Sequence, residues 1–489
     1  MMKTSFNFSA KKIGFLAGPL IFISTLVFID PDFISPGAYK VLALALWIMV
    51  WWVTEAVPIS ITAFLPLVLF PFMGVMKMSE AAAPYANPIV FLFMGGFLLA
   101  LALEKHRLHE RIALNLVKVT GTSGNGIILG FMLATSFISM WISNTATAMM
   151  MLPIALSVIN LLKSDPNSSH ENLPKGERNF SIGLLLIVAY ASSIGGIATI
   201  IGTPPNVVFA GLLDQFYHQK LNFGKWMLVG LPLMTMILIS AYFIITKVLF
   251  PNGIKNVRGS DELINEKLHQ LGKLRKEEKL VMSIFLLTCC LWVFQQPFNL
   301  LLGSDLLNDT NVAMMGGLLM FIVPVDWRNM QFILHWQDTE KLAWGILFLF
   351  GGGLCLAQGL SNVGVIQVVG AKIAEHSSST QWLLFGLITA SVFITELMSN
   401  VALVQIFIPV VFGIANSLGV DPLLLGMPVT IGASMAFMFP VATPPNAIVF
   451  SSGHMKVKHM MKAGILLNIV SIILIYLASI TLIQWVYGS

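Results

Sequence analysis

The sequence predicts an all-α polytopic membrane protein with about eleven transmembrane helices, two re-entrant hairpins and an internal inverted repeat. Three observations predict this fold class. Of the 489 residues, 56% are hydrophobic and only 10% are charged, whereas a soluble domain carries about 25% charged residues. Apolar runs of about 20 residues, long enough to cross a bilayer, recur from end to end. The tetrapeptide Thr-Pro-Pro-Asn occurs twice inside such runs, at Thr203–Asn206 and Thr443–Asn446.

The first predicted span, at about 13–29, follows Lys11-Lys12 without a small-residue cleavage site, so it is interpreted as an uncleaved span rather than a signal peptide. Residues 104–118 are predicted to form an amphipathic helix at the inner membrane surface. Residues 251–279 are charged and are interpreted as a solvated loop with a short helix. The other spans lie at about 39–55, 57–75, 88–103, 182–213, 227–250, 280–297, 312–325, 342–358, 422–453 and 463–486.

Two apolar stretches, at about 125–161 and 381–418, are predicted to be re-entrant hairpins rather than crossings. Each carries a polar pair near its middle, at Ser143-Asn144 and Ser399-Asn400. Two arms of ~17 residues at 1.5 Å per residue would each reach only ~26 Å, which fits a helix that enters the membrane and returns. Unpaired backbone at such a turn persists only where it is buried in protein or lines a cavity.

Lysine and arginine placement predicts the orientation of the chain. With a cytoplasmic N-terminus and eleven crossings, most of the 28 lysines and arginines fall in inner segments, as the positive-inside rule requires. The C-terminus is then outside, the first hairpin lies on the cytoplasmic side and the second lies on the outer side. The formal net charge of +5 reflects this asymmetry, and no nucleic-acid partner is expected.

The duplicated motifs predict one shared site. In each half a Ser-Asn pair precedes a Thr-Pro-Pro-Asn tetrapeptide, and the halves run in opposite directions, which is typical of binding sites in secondary transporters. The prolines end one helix and begin another, which the threonine can cap, and the Ser-Asn pair can cap the returning hairpin arm. Four helix N-termini, with free N–H groups and positive dipole ends, would then converge on an anion. Carbonyls left open at Ser139–Ile142 and near Gly202, with the Asn144 amide oxygen, suit Na⁺.

The distribution of charged residues predicts that the anion and the cation bind together. Neither hairpin and neither proline break contains lysine or arginine, so a bound anion needs cations for compensation. The one acidic residue of these regions, Glu396, has Met140 as its counterpart in the first half, so a structural role is predicted, with proton coupling as the minority alternative. Other open classes are an anion exchanger, a passive channel and an intramembrane enzyme, although no catalytic residues are found.

At these residues the chain resembles the divalent anion:sodium symporter family, which includes the sodium-coupled dicarboxylate, citrate and sulfate transporters. The resemblance covers essentially the whole chain, and the paired motifs are specific to the family. It is carried by Trp51–Pro58, Ser143–Thr145, Ser192–Gly196, Gly202–Asn206, Thr395–Asn400 and Ala442–Asn446.

The resemblance implies a homodimer in which a mobile transport domain moves like an elevator against a fixed scaffold. The implied divisions are N-terminal scaffold spans with the surface helix (1–118), a first transport half (119–226), further scaffold spans (227–341), a span with a surface segment (342–380), a second transport half (381–462) and a last span (463–489).

Residue roles also follow from the resemblance, and at least two Na⁺ ions are expected. The first Na⁺ site would use Ser139, Ser143, Asn144 and Gly202, and the second Thr395, Met398, Asn400 and Ala442. The anionic substrate would contact Ser143, Asn144, Thr145, Thr203, Pro204, Ser399, Asn400, Val401, Thr443 and Pro444.

One departure from the family pattern concerns the substrate. The second motif is commonly Ser-Asn-Thr, but Val401 has no hydroxyl, and a lost hydrogen bond to a charged group is worth ~1.5–3 kcal/mol unless water replaces it. The expected function is Na⁺-coupled symport of a small divalent anion across the plasma (inner) membrane. A C4-dicarboxylate such as succinate, malate or fumarate is favoured, with citrate and sulfate as alternatives.

Overall fold

The computed structural model describes residues 10–28, 35–162, 174–304, 306–376 and 379–488. Helices make up nearly all of the secondary structure, which confirms the all-α prediction. Within these ranges the strands are confined to one short antiparallel pair, β1 (Pro324–Asp326) and β2 (Gln331–Phe332).

The N-terminal region forms the first seven helices. The predicted span at 57–75 is not one continuous helix, because a proline in the first turn of α4 has no N–H to continue the preceding turn. The predicted surface helix corresponds to α7, which buries Leu108, Ala113, Leu114 and Val117 and exposes Lys118. The bounds are α1 Ala10–Phe28, α2 Ala38–Thr54, α3 Ile59–Thr62, α4 Leu65–Phe72, α5 Met78–Ala82, a 3₁₀ helix Ala83–Ala86, α6 Pro88–Lys105 and α7 Leu108–Val119.

The first pair of motifs lies on helices α8 to α11, and a charged segment follows them. As predicted, that segment contains one short helix, α13. The bounds are α8 Gly124–Ser139, α9 Asn144–Asn160, α10 Lys175–Gly196, α11 Pro204–Tyr217, α12 Phe223–Phe243 with a π-helical continuation Ile244–Leu249, α13 Ser260–Leu271, α14 Lys276–Val293, α15 Gln295–Leu302, α16 Asp309–Ile322 and a 3₁₀ helix Trp336–Lys341.

The second half repeats the order of the first, with an interrupted apolar pair followed by a broken helix. The bounds are α17 Trp344–Asn362, α18 Val365–Glu375, α19 Thr380–Ile394, α20 Asn400–Leu418, α21 Pro422–Gly432, α22 Pro444–Phe450, α23 Val457–Ile480 and α24 Leu482–Tyr487.

Several helices are long enough to span a membrane. Within the described ranges, seven are long and apolar enough to cross on their own, or nine if two bent pairs each count as one span. The predicted eleven crossings include short and interrupted helices that this length criterion does not count. The structure therefore supports a polytopic membrane protein, and the number eleven stays a prediction.

Helix α10 forms the centre of the molecule and places the first proline break in the interior. Its whole apolar stretch is buried, as expected of a helix that is apolar on every side. Two glycines on neighbouring helices let backbones approach the breaks closely. A Cβ atom on Gly230 of α12 would lie 2.8 Å from the Ile197 and Ala198 carbonyl oxygens, and one on Gly464 of α23 would lie 2.6 Å from Phe437.

Candidate functional site

The first pair of polar turns lies at the predicted hairpin tips. Helix α8 ends at Ser139, and the Ser143 hydroxyl caps α9 by accepting a hydrogen bond from the Ala146 N–H at 3.3 Å. At the second tip Ser399 occupies the same position before α20, but its hydroxyl makes no capping bond. The capping prediction is therefore confirmed for Ser143 and wrong for Ser399, whose hydroxyl is not engaged by the helix.

The second pair of polar turns lies at the Thr-Pro-Pro-Asn motifs. Residues 197–203 separate α10 from α11, and residues 433–443 separate α21 from α22. Each threonine occupies the N-cap position in an extended conformation. Thr443 makes the capping bond, accepting from the Asn446 N–H at 3.4 Å, whereas Thr203 does not. Both broken helices are thus observed, and one threonine hydroxyl stays free of a capping role.

The expectation that all four helix N-termini present free N–H groups is wrong for the two that begin with proline. Proline has no N–H, and the next donor, on Asn206, bonds back to the Thr203 carbonyl at 3.2 Å. The hairpin arms differ, because they begin with Asn144-Thr145 and Asn400-Val401, whose N–H groups have no partner within a helix. Donors for an anion therefore come from the hairpin tips, and the proline helices contribute their dipoles and threonine side chains.

The fourth residue of each tetrapeptide holds its break together, a role that sequence reasoning missed. Asn206 donates its side-chain amide to the Thr199 carbonyl at 2.9 Å and the Gly196 carbonyl at 3.3 Å. Asn446 does the same to the carbonyls of Phe439 and Ala436, both at 3.1 Å. The partners lie seven and ten residues upstream in both halves. In the sequence, only the duplication of the asparagine indicated that this residue has a role in the break.

A hydroxyl at each hairpin tip lies close to two other oxygens. The Ser139 hydroxyl is 2.8 Å from Asn144 Oδ1 and 2.5 Å from the Ser192 carbonyl oxygen. In the second half the Thr395 hydroxyl is 2.8 Å from Asn400 Oδ1, and 2.6 Å from the carbonyl oxygen of Ala433. A hydroxyl has one proton for these two oxygens. In each cluster, therefore, one pair of oxygens lies close together without a shared hydrogen bond. A bound cation would offset the repulsion between these two oxygens.

Glycine lets the backbone approach the first oxygen cluster closely. A Cβ atom on Gly196 would lie 2.8 Å from Asn144 Oδ1 and 3.0 Å from the Gly202 carbonyl oxygen. A Cβ atom on Gly202 would lie 3.0 Å from the Met140 carbonyl oxygen. Neutral oxygens therefore lie close together where a side chain larger than glycine would displace them, and backbone carbonyls of this kind coordinate Na⁺ in transporters. Gly202 was among the predicted Na⁺ ligands, whereas no ligand role was predicted for Gly196.

Some residues that the family resemblance implies are not joined to these clusters. The Ser143 hydroxyl is engaged at the start of α9. Met398 is half-buried among apolar side chains, and the Ala442 N–H bonds to the Phe439 carbonyl at 3.2 Å. Among the described residues, no hydrogen bond links Met398 or Ala442 to the second cluster. Each cluster therefore contains two of its four implied residues, Ser139 and Asn144 in the first half and Thr395 and Asn400 in the second.

Glu396 has the structural role that was predicted. Its buried carboxylate accepts hydrogen bonds from the consecutive N–H groups of residues 437–439 at 2.7 to 3.3 Å, and from the Asn468 side chain of α23 at 2.8 Å. It therefore fastens the second hairpin tip to the second break and to α23. In the first half the Thr199 hydroxyl makes the equivalent link, donating to the Met140 carbonyl at 2.6 Å.

The two halves meet around these turns. Helix α9 packs against α10 and α22, and α20 packs against α11 and α21, so each hairpin arm contacts the broken helix of the other half. Tyr190 of α10 donates to the Phe437 carbonyl in the second break at 2.8 Å. Ser139, Thr395, Thr203 and Thr443 are buried, whereas Val401 is half-buried. The predicted convergence of the duplicated motifs is consistent with this packing.

Sequence comparison identifies the group of proteins to which this architecture corresponds. A family model described as the sodium:sulfate symporter transmembrane region matches residues 10–488. The sodium-dependent dicarboxylate transporter SdcS of Staphylococcus saprophyticus is 38% identical over 480 residues, covering 97% of this chain and 92% of the relative. SdcS of Staphylococcus aureus strain MRSA252 is 38% identical over 483 residues, with the same coverage of each chain.

Solved structures with a similar fold are more distant. MtrF of Neisseria gonorrhoeae, described as representing a class of antimetabolite efflux pumps, has a TM-score of 0.55 and 14% identity, covering 97% of this chain and 95% of its own. The YdaH transporter of Alcanivorax borkumensis, described as having an unusual topology, has a TM-score of 0.56 and 13% identity, covering 84% and 89% respectively. At these identities the likeness concerns the fold alone.

Proposed function

The chain belongs to the sodium:sulfate symporter family, also called the divalent anion:sodium symporters, and we propose that it carries a C4-dicarboxylate with Na⁺ across the plasma membrane. The observation that carries this proposal is the oxygen cluster of Ser139, Asn144 and Ser192, which recurs in the second half at Thr395, Asn400 and Ala433. The dicarboxylate is favoured because both SdcS relatives resemble this chain over nearly its whole length.

In this proposal Na⁺ is cargo that binds at the two clusters. In the first half the ligands are oxygens of Ser139, Asn144 and Gly202, which lie close to the backbone of Gly196. In the second half they are oxygens of Thr395 and Asn400, with the Met398 and Ala442 carbonyls as further implied ligands. One ion at each cluster gives two positive charges, which matches the charge of a dicarboxylate.

The substrate carboxylates bind between the hairpin tips. Backbone N–H groups at Asn144-Thr145 and Asn400-Val401 provide the donors, and the hydroxyls of Thr203 and Ser399 are not used in helix capping. Each Na⁺ at about 5 Å from a carboxylate attracts it by about 3 kcal/mol at an effective dielectric constant near 20. Because no lysine or arginine lies in these motifs, this attraction makes anion binding depend on Na⁺.

Transport by an elevator movement of a homodimer is the mechanism that we propose. The mobile unit would contain α8 to α11 and α19 to α22, which pack on one another through the motif turns. Helices α12 and α23 would move with it, because Gly230 and Gly464 hold them against the two breaks. The domain boundary implied between residues 226 and 227 falls inside α12. We therefore place this boundary after the C-terminal end of α12. The two tips are proposed as re-entrant hairpins, with the N-terminus cytoplasmic and the C-terminus outside.

Uptake into proteoliposomes tests the proposal. Succinate should accumulate when an inward Na⁺ gradient is imposed and should not accumulate when choline replaces Na⁺. Uptake that requires an anionic substrate inside the vesicles and does not depend on Na⁺ would instead indicate an anion exchanger. Competition by unlabelled citrate and sulfate in the same assay distinguishes the alternative substrates.

A further inference from the structure

A basic cavity of about 650 Å³ lies away from the motif turns. It is bounded by the first turn of α10, by the end of the π-helical segment that follows α12, and by the loop between α22 and α23. No aspartate or glutamate is among the described residues that line it. Its basic lining residues are Lys175, Arg178, His454, Lys456, Lys458 and His459.

The three segments around this cavity are fastened to one another. The Asn179 side chain of α10, itself 8% exposed, donates to the Pro251 carbonyl at 2.8 Å. The Phe250 ring meets the His459 ring edge-on, with centroids 6.0 Å apart. His459 Nδ1 accepts the Lys456 N–H at 3.2 Å and so closes the first turn of α23. The basic side chains therefore extend from a frame that is already assembled.

The electrostatics of the cavity favour an anion. In the ranges that the structure describes, Lys175, Arg178 and Lys458 each lie more than 4 Å from any carboxylate oxygen. Two long helices, α10 and α23, begin at the cavity, so the positive ends of their dipoles add to the side-chain charges. The arrangement suits a phosphate group, whose oxygens can accept charge-assisted hydrogen bonds from lysine and arginine.

An exposed apolar strip runs from the cavity along α12. Val248, which lines the cavity, is 65% exposed, and Phe243 and Ile239 are 53% and 50% exposed. These residues are spaced by four and five positions, and the longer spacing falls where the helix becomes π-helical. They therefore follow one face of a membrane helix. A ligand that fits both the cavity and this strip has a charged head and a hydrocarbon tail.

We propose that this cavity binds the phosphate headgroup of an anionic phospholipid whose acyl chain lies along the exposed face of α12. Basic pockets between membrane helices on the cytoplasmic side are suited to such lipids, and the orientation predicted from lysine and arginine placement puts this cavity there. Helix α22, seven residues or ~10 Å long, joins the cavity loop to Thr443 in the motif site. The lipid thus binds the mobile unit at its cytoplasmic end.

Thermal unfolding of the purified full-length protein in detergent tests this proposal without any transport measurement. Dioleoyl-phosphatidylglycerol should raise the melting temperature by several degrees, whereas dioleoyl-phosphatidylcholine at the same concentration should not. Each basic residue contributes about fivefold to the binding of an anionic lipid. The Arg178→Gln/Lys458→Gln variant should therefore need about 25-fold more phosphatidylglycerol for half-maximal stabilisation.

A matched control removes two exposed positive charges elsewhere on the predicted cytoplasmic side, as Lys273→Gln/Lys279→Gln, and should respond to lipid as the wild type does. If the double variant does not fold, the single variants Lys175→Gln and Lys458→Gln replace it. Each should need about fivefold more phosphatidylglycerol for half-maximal stabilisation. Equal lipid responses in the cavity and control variants would overturn the proposal. Stabilisation by inorganic phosphate as strong as that by phosphatidylglycerol would overturn the lipid assignment.

Discussion

At the residue scale, the proposed site depends on a few oxygens and on the space between them. Ser139 and Asn144 could be proposed from the sequence because a polar Ser-Asn turn inside an apolar stretch is conspicuous. Gly196 could not, because its importance comes from the position of Asn144 Oδ1 across the site rather than from its own neighbours in sequence. The Ser192 carbonyl was equally hidden, since a backbone oxygen has no residue-type signature.

Gly196→Ala tests the close packing of the backbone against the first cluster. The added Cβ atom would lie 2.8 Å from Asn144 Oδ1 and would displace this proposed Na⁺ ligand. We expect the Na⁺ concentration for half-maximal succinate uptake to rise roughly tenfold or more, equivalent to the loss of one ligand. Gly386→Ala is the matched control, because its Cβ atom would meet no atom within 4 Å. A normal Na⁺ response in Gly196→Ala would contradict the placement of the ion.

Asn144→Ala and Asn400→Ala test the amide oxygens of the two clusters. Each variant removes one amide oxygen that is proposed to bind Na⁺. An interaction of this kind with a charged group is worth ~1.5–3 kcal/mol, so Na⁺ affinity should fall by roughly 10- to 150-fold. Stability should be nearly unchanged, because neither side chain caps a helix. Asn265→Ala, at an exposed position on α13, serves as the control. Intact Na⁺-dependent uptake in both site variants would refute the assignment.

Val401→Thr tests the departure from the family motif. The new hydroxyl lies at the second tip and offers the substrate an extra hydrogen bond, so the ratio of dicarboxylate to citrate or sulfate uptake should change. Na⁺ affinity should change less, since the Val401 side chain has no polar atom that could be a ligand. The reciprocal variant Thr145→Val should shift substrate preference in the opposite sense at the first tip. A change confined to Na⁺ affinity would count against the pocket.

At the element scale, proline and polar pairs predicted where helices break, and the breaks are observed at those places. The internal structure of each break was not predictable, because its hydrogen bonds join residues seven to ten positions apart in an irregular segment. Asn206 and Asn446 illustrate this, since each donates to two carbonyls whose positions depend on the whole turn. The division of the 57–75 segment was also missed, because its hydropathy is uniform.

Glu396→Gln tests how the second hairpin is attached to its break. A glutamine has one acceptor oxygen instead of two and places an NH₂ group against N–H donors, which leaves buried donors unpaired. The free energy of unfolding should fall by roughly 2–4 kcal/mol, measured by thermal or denaturant unfolding. Thr199→Val removes the corresponding link in the first half and should be milder, about 1 kcal/mol, because it removes one hydrogen bond. A Glu396→Gln variant of normal stability that loses proton-dependent uptake would favour the proton-coupling alternative.

At the scale of the whole molecule, composition and the duplicated motifs were sufficient to predict an all-α membrane protein with two related halves. The packing of α9 on α22 and of α20 on α11 then places each half against the other, as a shared site requires. The proposed assignment of α12 and α23 to a mobile unit was not predictable, because it depends on contacts of Gly230 and Gly464 with distant backbone. Hydropathy alone identifies spans without saying which of them pack around a break.

Ions at the two oxygen clusters are proposed to create the dianion site, so anion binding without Na⁺ should be weak. The most direct measurement is calorimetric titration of the purified protein with succinate, at constant ionic strength, as choline replaces Na⁺. We expect succinate affinity to fall by at least 100-fold when Na⁺ is removed, as follows from about 3 kcal/mol of attraction to a bound cation. Equal succinate affinity in Na⁺ and in choline would contradict this dependence.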